Sequence, residues 1–64
     1  MDLLSDIEIE RLLRNNEKLF IDYLGKNKKQ IREYLAKFER DKQLHVLQDL
    51  IRFASNYKKA DSDN

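Results

Sequence analysis

The sequence predicts an all-α protein: either a small three-helix bundle, or a helical hairpin with one long, kinked second arm. Three observations predict it. The 64 residues include no proline and a single glycine, while Leu, Lys, Glu and Arg, all strong helix formers, supply much of the rest. The apolar residues recur three and four positions apart, the period of a helix face and not the alternation of a strand. Helix start and stop signals fall between these stripes. Together they place helices near 6–24, 28–39 and 42–58, packed up-down-up.

The first helix is expected to start near Asp6. Ser5-Asp6-Ile7-Glu8 has the form of a capping box, with Leu4 and Ile9 at the positions of a hydrophobic staple. Asp6, Glu8 and Glu10 set negative charge at the positive end of the helix dipole. The apolar stripe then runs through Ile9, Leu12, Leu13, Leu19, Phe20, Tyr23 and Leu24. Gly25 can adopt the left-handed conformation that ends a helix.

Asn27 is the natural N-cap of the second helix, with Gln30 three positions on. Ile31, Tyr34, Leu35 and Phe38 form its stripe. Continued in phase, that stripe meets Lys42, His45 and Asp49, whereas the apolar residues stand at Leu44, Leu47 and Ile51. The phase slips between Phe38 and Leu44. The helix either breaks there, with Asp41 capping a third helix, or runs on for about thirty residues with a rotating apolar face. The break is the favoured reading. Residues 60–64 are small and polar and are expected to fray. The expected core is Ile9, Leu12, Leu13, Phe20, Leu24, Ile31, Leu35, Phe38, Leu47, Leu50 and Ile51.

A chain of this length forms one domain, 1–64, and buries only about 60% of its unfolded surface. With no cysteine, it has neither a disulfide framework nor a thiolate metal site. Small domains lacking such staples often depend on oligomerisation or a partner. Charged residues make up 39% of the chain, for a net charge of +1. That total conceals an asymmetry: residues 1–25 carry net −3, residues 26–42 net +4, and residues 43–64 balance. A localised basic segment is a stronger pointer to partners than the overall charge. No apolar run is long enough for a membrane span, and the acidic start is unlike a secretory signal. The expectation is a soluble, cytoplasmic protein with no membrane partner.

Composition argues against catalysis. His45, the one histidine, lies on the polar face of the last segment, four residues before Asp49, where solvation is the simple reading; acid–base work also needs a pocket that excludes water. Ser5 and Ser55 have no nearby base. A metal site needs several convergent ligands, and a phosphate loop needs more than one glycine. The expectation is a non-enzymatic protein with no cofactor and no metal.

Two binding readings remain. Lys26, Lys28, Lys29 and Arg32 cluster at the start of the second helix. Asn16, the Tyr23-Leu24-Gly25 turn, Ile31 and Leu35 give this region a resemblance to a Fis-like helix-turn-helix over residues 16–38. The resemblance implies that Lys28, Lys29, Gln30 and Arg32 face the major groove or phosphates. Ile21 stands where that pattern has a small residue, Lys26 where it has an apolar one, and Glu33 and Glu39 interrupt the positive charge. A solvated charged face is the plainer reading.

The other reading is protein contact. On the segment 44–57, Leu44, Val46, Leu47, Leu50, Ile51, Phe53, Ala54 and Tyr57 cover about half the helix circumference, more than an ordinary surface helix needs. Two neighbouring helices claim Leu47, Leu50 and Ile51, leaving Val46, Phe53 and Tyr57 as an outward edge toward a second copy or another protein. Asn16 falls within the first apolar stripe, where a polar residue can set register or oligomeric state, or lie at the edge of a small core. Residues 42–48 are similar to a stretch in the small helical co-chaperones of type III secretion needle subunits, which implies, as a lesser alternative, cradling of a secretion-system subunit.

Overall fold

The computed structural model describes residues 3–62, with side chains from 5 to 60. It contains four helices: α1 (Leu3–Asn15), α2 (Glu17–Leu24), α3 (Lys28–Leu35) and α4 (Arg40–Ser62). No strand occurs among the described residues.

The expected first helix is two helices, divided at Asn16. There φ is −116° and ψ 15°. The Asn16 backbone N–H donates to the Leu12 carbonyl at 3.0 Å, and its side-chain Nδ2 donates to the same oxygen at 2.8 Å. A side-chain amide that bonds nearby backbone competes with the helical ladder. The ladder resumes when the Phe20 N–H donates to the Asn16 carbonyl at 2.9 Å. Asn16 thus closes α1 with its side chain and offers α2 no side-chain cap.

α1 begins earlier than the expected Asp6. Helix is already present at Leu3, so Ser5 and Asp6 lie inside it and the Ser5-to-Glu8 pattern is not its start. Leu3 and Leu4 are good helix formers with no breaker before Ser5. The side chain of Leu4, and with it the expected staple, lies outside the described residues.

The next turn forms as its sequence dictates. Gly25 has φ 65° and ψ 29°, a left-handed conformation in which a Cβ is costly. The Lys26 N–H closes the helix end on the Phe20 carbonyl at 3.2 Å. Asn27 Oδ1 accepts from the Gln30 N–H, and Gln30 Oε1 accepts from the Asn27 N–H, both at 2.9 Å. This is a reciprocal capping box.

The phase slip is resolved by a break, and no single thirty-residue helix forms. α3 stops at Leu35, not 39. The Lys37 N–H bonds to the Tyr34 carbonyl at 3.1 Å and the Phe38 N–H to the Leu35 carbonyl at 3.0 Å. These tighter i to i+3 closures end a helix. α4 starts at Arg40, so Asp41 stands in its first turn and is not its cap. With no Gly or Pro to stop it, α4 passes the expected end at 58, and the segment expected to fray is helical through Ser62. Residues 63 and 64 lie outside the described residues.

Arg40 meets Asp6 and Lys28 meets Glu17, so α1–α2 runs up, α3 down and α4 up. The molecule is a rod of 45 × 18 × 17 Å. At about 1.5 Å per residue, α3 spans roughly 12 Å and α4 roughly 35 Å. α3 can therefore cover only part of α4. The buried core is Ile9, Leu13, Phe20, Ile31, Leu35, Leu47 and Ala54. Leu12, Leu24, Leu44, Val46, Leu50 and Ile51 pack against it half-buried. Leu12, Leu24, Phe38, Leu50 and Ile51 are thus less enclosed than the sequence implies, and Ala54 joins the core.

Candidate interaction surface

The charge asymmetry of the sequence is largely spent inside the fold. Asp6, Glu10 and Glu17 share one face of α1–α2 and look toward α3 and the start of α4. Arg32 binds Glu10 through two nitrogens, Nε to Oε1 at 2.9 Å and Nη2 to Oε2. Arg40 pairs with Asp6. Lys28 Nζ lies 3.8 Å from Glu17 Oε2. The Arg32 guanidinium, by hydrogen bonding, holds the Glu10 carboxyl below its ordinary pKa of 4.5, and Glu10 in turn raises Arg32. All three pairs are solvent-accessible, so their stabilisation is modest and screened by salt. Their antiparallel order fixes which face of α3 meets α1.

This placement bears directly on the basic cluster. Lys28 and Arg32 point toward α1–α2, while Lys26 and Lys29 are exposed with no acidic partner among the described residues. α3 packs on α1 and α4 and touches α2 least of all. Ile21, at the position where a helix-turn-helix brings its two helices together, is 48% exposed.

The apolar edge of α4 has three parts. Val46 is half-buried against the core. Phe53 is 60% and Tyr57 56% exposed. With Leu50 they form one stripe along the side of α4 that faces α3 (3.6 residues per turn brings 46, 50, 53 and 57 together). Phe53 and Tyr57 lie beyond the reach of the short third helix. Next to the stripe is an open groove lined by Leu24, Ile31, Tyr34 and Leu50, with Lys26, Gln30, Glu33 and Lys37 along its edge. Tyr34 is braced by Phe38, edge to face, with ring centroids 5.2 Å apart. The groove was not legible in the sequence, which placed Tyr34 in a helix stripe and Leu24 and Leu50 in the core. It opens where residues of α2, α3 and α4 converge.

Asn16 is half-buried and lines a polar crevice with Leu19, Tyr23, Ser55 and Lys58. It stands at the edge of the chain's own core, with its amide on the Leu12 carbonyl. Ile7 and Ile21 are exposed on the outer side of α1 and α2; both fall off the apolar stripe, which was the available signal. His45 is exposed, and Asp49 Oδ1 lies 3.9 Å from Arg52 Nη1. Among the described residues no cluster of three or more His, Cys, Asp or Glu could hold a metal ion, and no helix is long and apolar enough to cross a membrane.

The fold and this surface define a small all-α protein with an incompletely covered last helix. Comparison with protein families, with curated proteins and with solved structures finds no match.

Proposed function

We propose that the protein is a non-enzymatic interaction or regulatory module that acts by presenting the apolar edge of α4 to itself or to another helical protein. The observation that carries this reading is the exposure of Phe53 and Tyr57 beside a groove floored by Leu24, Ile31, Tyr34 and Leu50. Adjacent exposed aromatics on a rigid element are favoured contact anchors. A nucleic-acid role for the basic segment has less support, since Lys28 and Arg32 are engaged by Glu17 and Glu10. The co-chaperone reading has no support beyond residues 42–48.

The test compares the wild type with Phe53→Glu, by sedimentation of the purified protein and by pull-down from the source cells. The reading expects self-association or capture of a specific protein, lost in the variant with helical content unchanged. Association that survives the substitution, or none in either assay, would overturn it.

A further inference from the structure

The most acidic part of the chain presents a cationic face. Residues 1–25 carry net −3, yet the side of α1–α2 turned away from the buried Ile9, Leu13 and Phe20 displays Ile7, Arg11, Arg14, Lys18 and Ile21. All five are exposed, Ile7 at 63% and Ile21 at 48%. The break at Asn16 does not turn them apart. Its N–H still bonds to the Leu12 carbonyl and its own carbonyl still accepts from the Phe20 N–H, so the helical register continues across it. Arg14 stands midway. It lines one shallow hollow with Ile7 and Arg11, and a second with Lys18 and Ile21. At about 1.5 Å per residue, the two isoleucines are roughly 21 Å apart.

The acids of these helices do not neutralise the face. Asp6, Glu10 and Glu17 border the hollows, but Arg40, Arg32 and Lys28 hold them toward α3 and α4. Glu8 is engaged by Arg11 at 2.9 Å. Arg14 and Lys18 have no carboxylate within ion-pair distance among the described residues.

This distribution states what a partner must supply. The unpaired cations call for carboxylates, and the isoleucine at each end calls for apolar contact. A second copy of the same face would set Arg14 and Lys18 against like charge. A nucleic-acid duplex or an anionic bilayer is broad, and would press phosphates against Glu10 and Glu17 on one flank and Glu8 and Asp22 on the other. A single helix touches its neighbour along one narrow row of side chains, so it can follow the cations and stay clear of both flanks.

We infer that the outer face of α1–α2 docks an acidic amphipathic helix of a different protein, with carboxylates on Arg14 and Lys18 and apolar side chains on Ile7 and Ile21. The inference does not use the α4 edge, and it gives the protein a second contact surface.

The probe is a synthetic, alanine-based helical peptide carrying glutamates between two leucines set at the spacing of Ile7 and Ile21. A fluorophore on the peptide reports binding to the full chain by anisotropy. Binding is expected to weaken with salt, to fall about tenfold or more in Arg14→Glu, and to fall several-fold in Ile21→Ser. Lys29→Glu and Phe53→Glu are expected to bind as the wild type does. A peptide with lysines in place of the glutamates is expected to bind the Arg14→Glu, Lys18→Glu double variant and not the wild type. Circular dichroism checks that each variant keeps its helical content. No binding of the glutamate peptide, an equal loss in Lys29→Glu, or no loss in Ile21→Ser overturns the inference. So does tighter binding of a DNA duplex or of phosphatidylserine vesicles through Arg14. Loss in Phe53→Glu places the peptide on α4 instead and also overturns it, while leaving the reading of the α4 edge intact.

Discussion

Arg32 and Glu10, twenty-two residues apart in the chain, meet through both guanidinium nitrogens that face the carboxylate. With the pairs of Arg40 and Asp6 and of Lys28 and Glu17, this contact turns the opposite charges of the first and middle segments toward each other. Arg32→Glu should therefore lower stability in urea denaturation, and Glu10→Arg combined with Arg32→Glu should recover part of the loss. Lys29→Glu should have little effect by comparison. Equal losses from Arg32→Glu and Lys29→Glu would show that the pair orders nothing.

The same pair sets a pH dependence. The Glu10 carboxyl is held below its usual 4.5 in the folded protein, so on acidification the unfolded chain takes up this proton first. Its contribution is complete above the ordinary carboxylate value and is lost as pH falls through the depressed one. Urea midpoints for wild type and Glu10→Gln should differ at neutral pH and converge in acid. A gap that widens in acid would reverse the sign.

Gly25 isolates a backbone effect from packing. Its φ is +65° and a Cβ there would meet nothing within 4 Å. Gly25→Ala should cost about 1–2 kcal/mol through conformation alone, and Gly25→Asn less, because Asn tolerates the left-handed region. Equal costs in thermal unfolding would point instead to a steric origin.

Asn27→Ala removes the oxygen that accepts from the Gln30 N–H and should cost about 0.5–2 kcal/mol. Gln30→Ala removes the reciprocal bond to the Asn27 N–H and should cost less, since that N–H is exposed and water can replace the partner. Chemical denaturation of both variants checks the order.

Leu47 and Phe53 are six residues apart on α4, one fully buried and the other mostly exposed. Leu47→Ala should cost about 2–5 kcal/mol. A chain of this length has a total stability of roughly 3–10 kcal/mol, so that variant should lose a large share of it and melt at a clearly lower temperature by circular dichroism. Phe53→Glu should keep its helical signal. If Phe53→Glu also unfolds, the aromatic belongs to the core.

The local parts of this fold were readable from residue types, and the long-range parts were not. Asn27, Gln30 and Gly25 act within a few residues of themselves, so their chemistry announces the turn. The jump from Phe38 to Leu44 exposed the break because helix phase is a local count. The helix break at Asn16 was not legible because it depends on a bond from its side chain to the Leu12 carbonyl one turn back, which an apolar-stripe pattern does not register. The basic cluster was incompletely legible for a different reason. The partners of Lys28 and Arg32 appear only once α1 and α2 are packed beside α3. Val46, Phe53 and Tyr57 stand out as an edge in the sequence, but the groove beside them depends on how Leu24, Ile31, Tyr34 and Leu50 of three helices converge, which a local count of helix phase does not give.

The link between α3 and α4 has a consequence for the lifetime of the molecule. It holds Lys37 exposed outside any helix, between a helix of eight residues and the one that supplies Leu47 and Ala54. A protease that cuts after Lys37 detaches α4 and leaves a fragment below the size, about 40 residues, at which chains without staples usually fold. One hydrolysed peptide bond in this four-residue stretch is then enough to commit the whole protein to degradation.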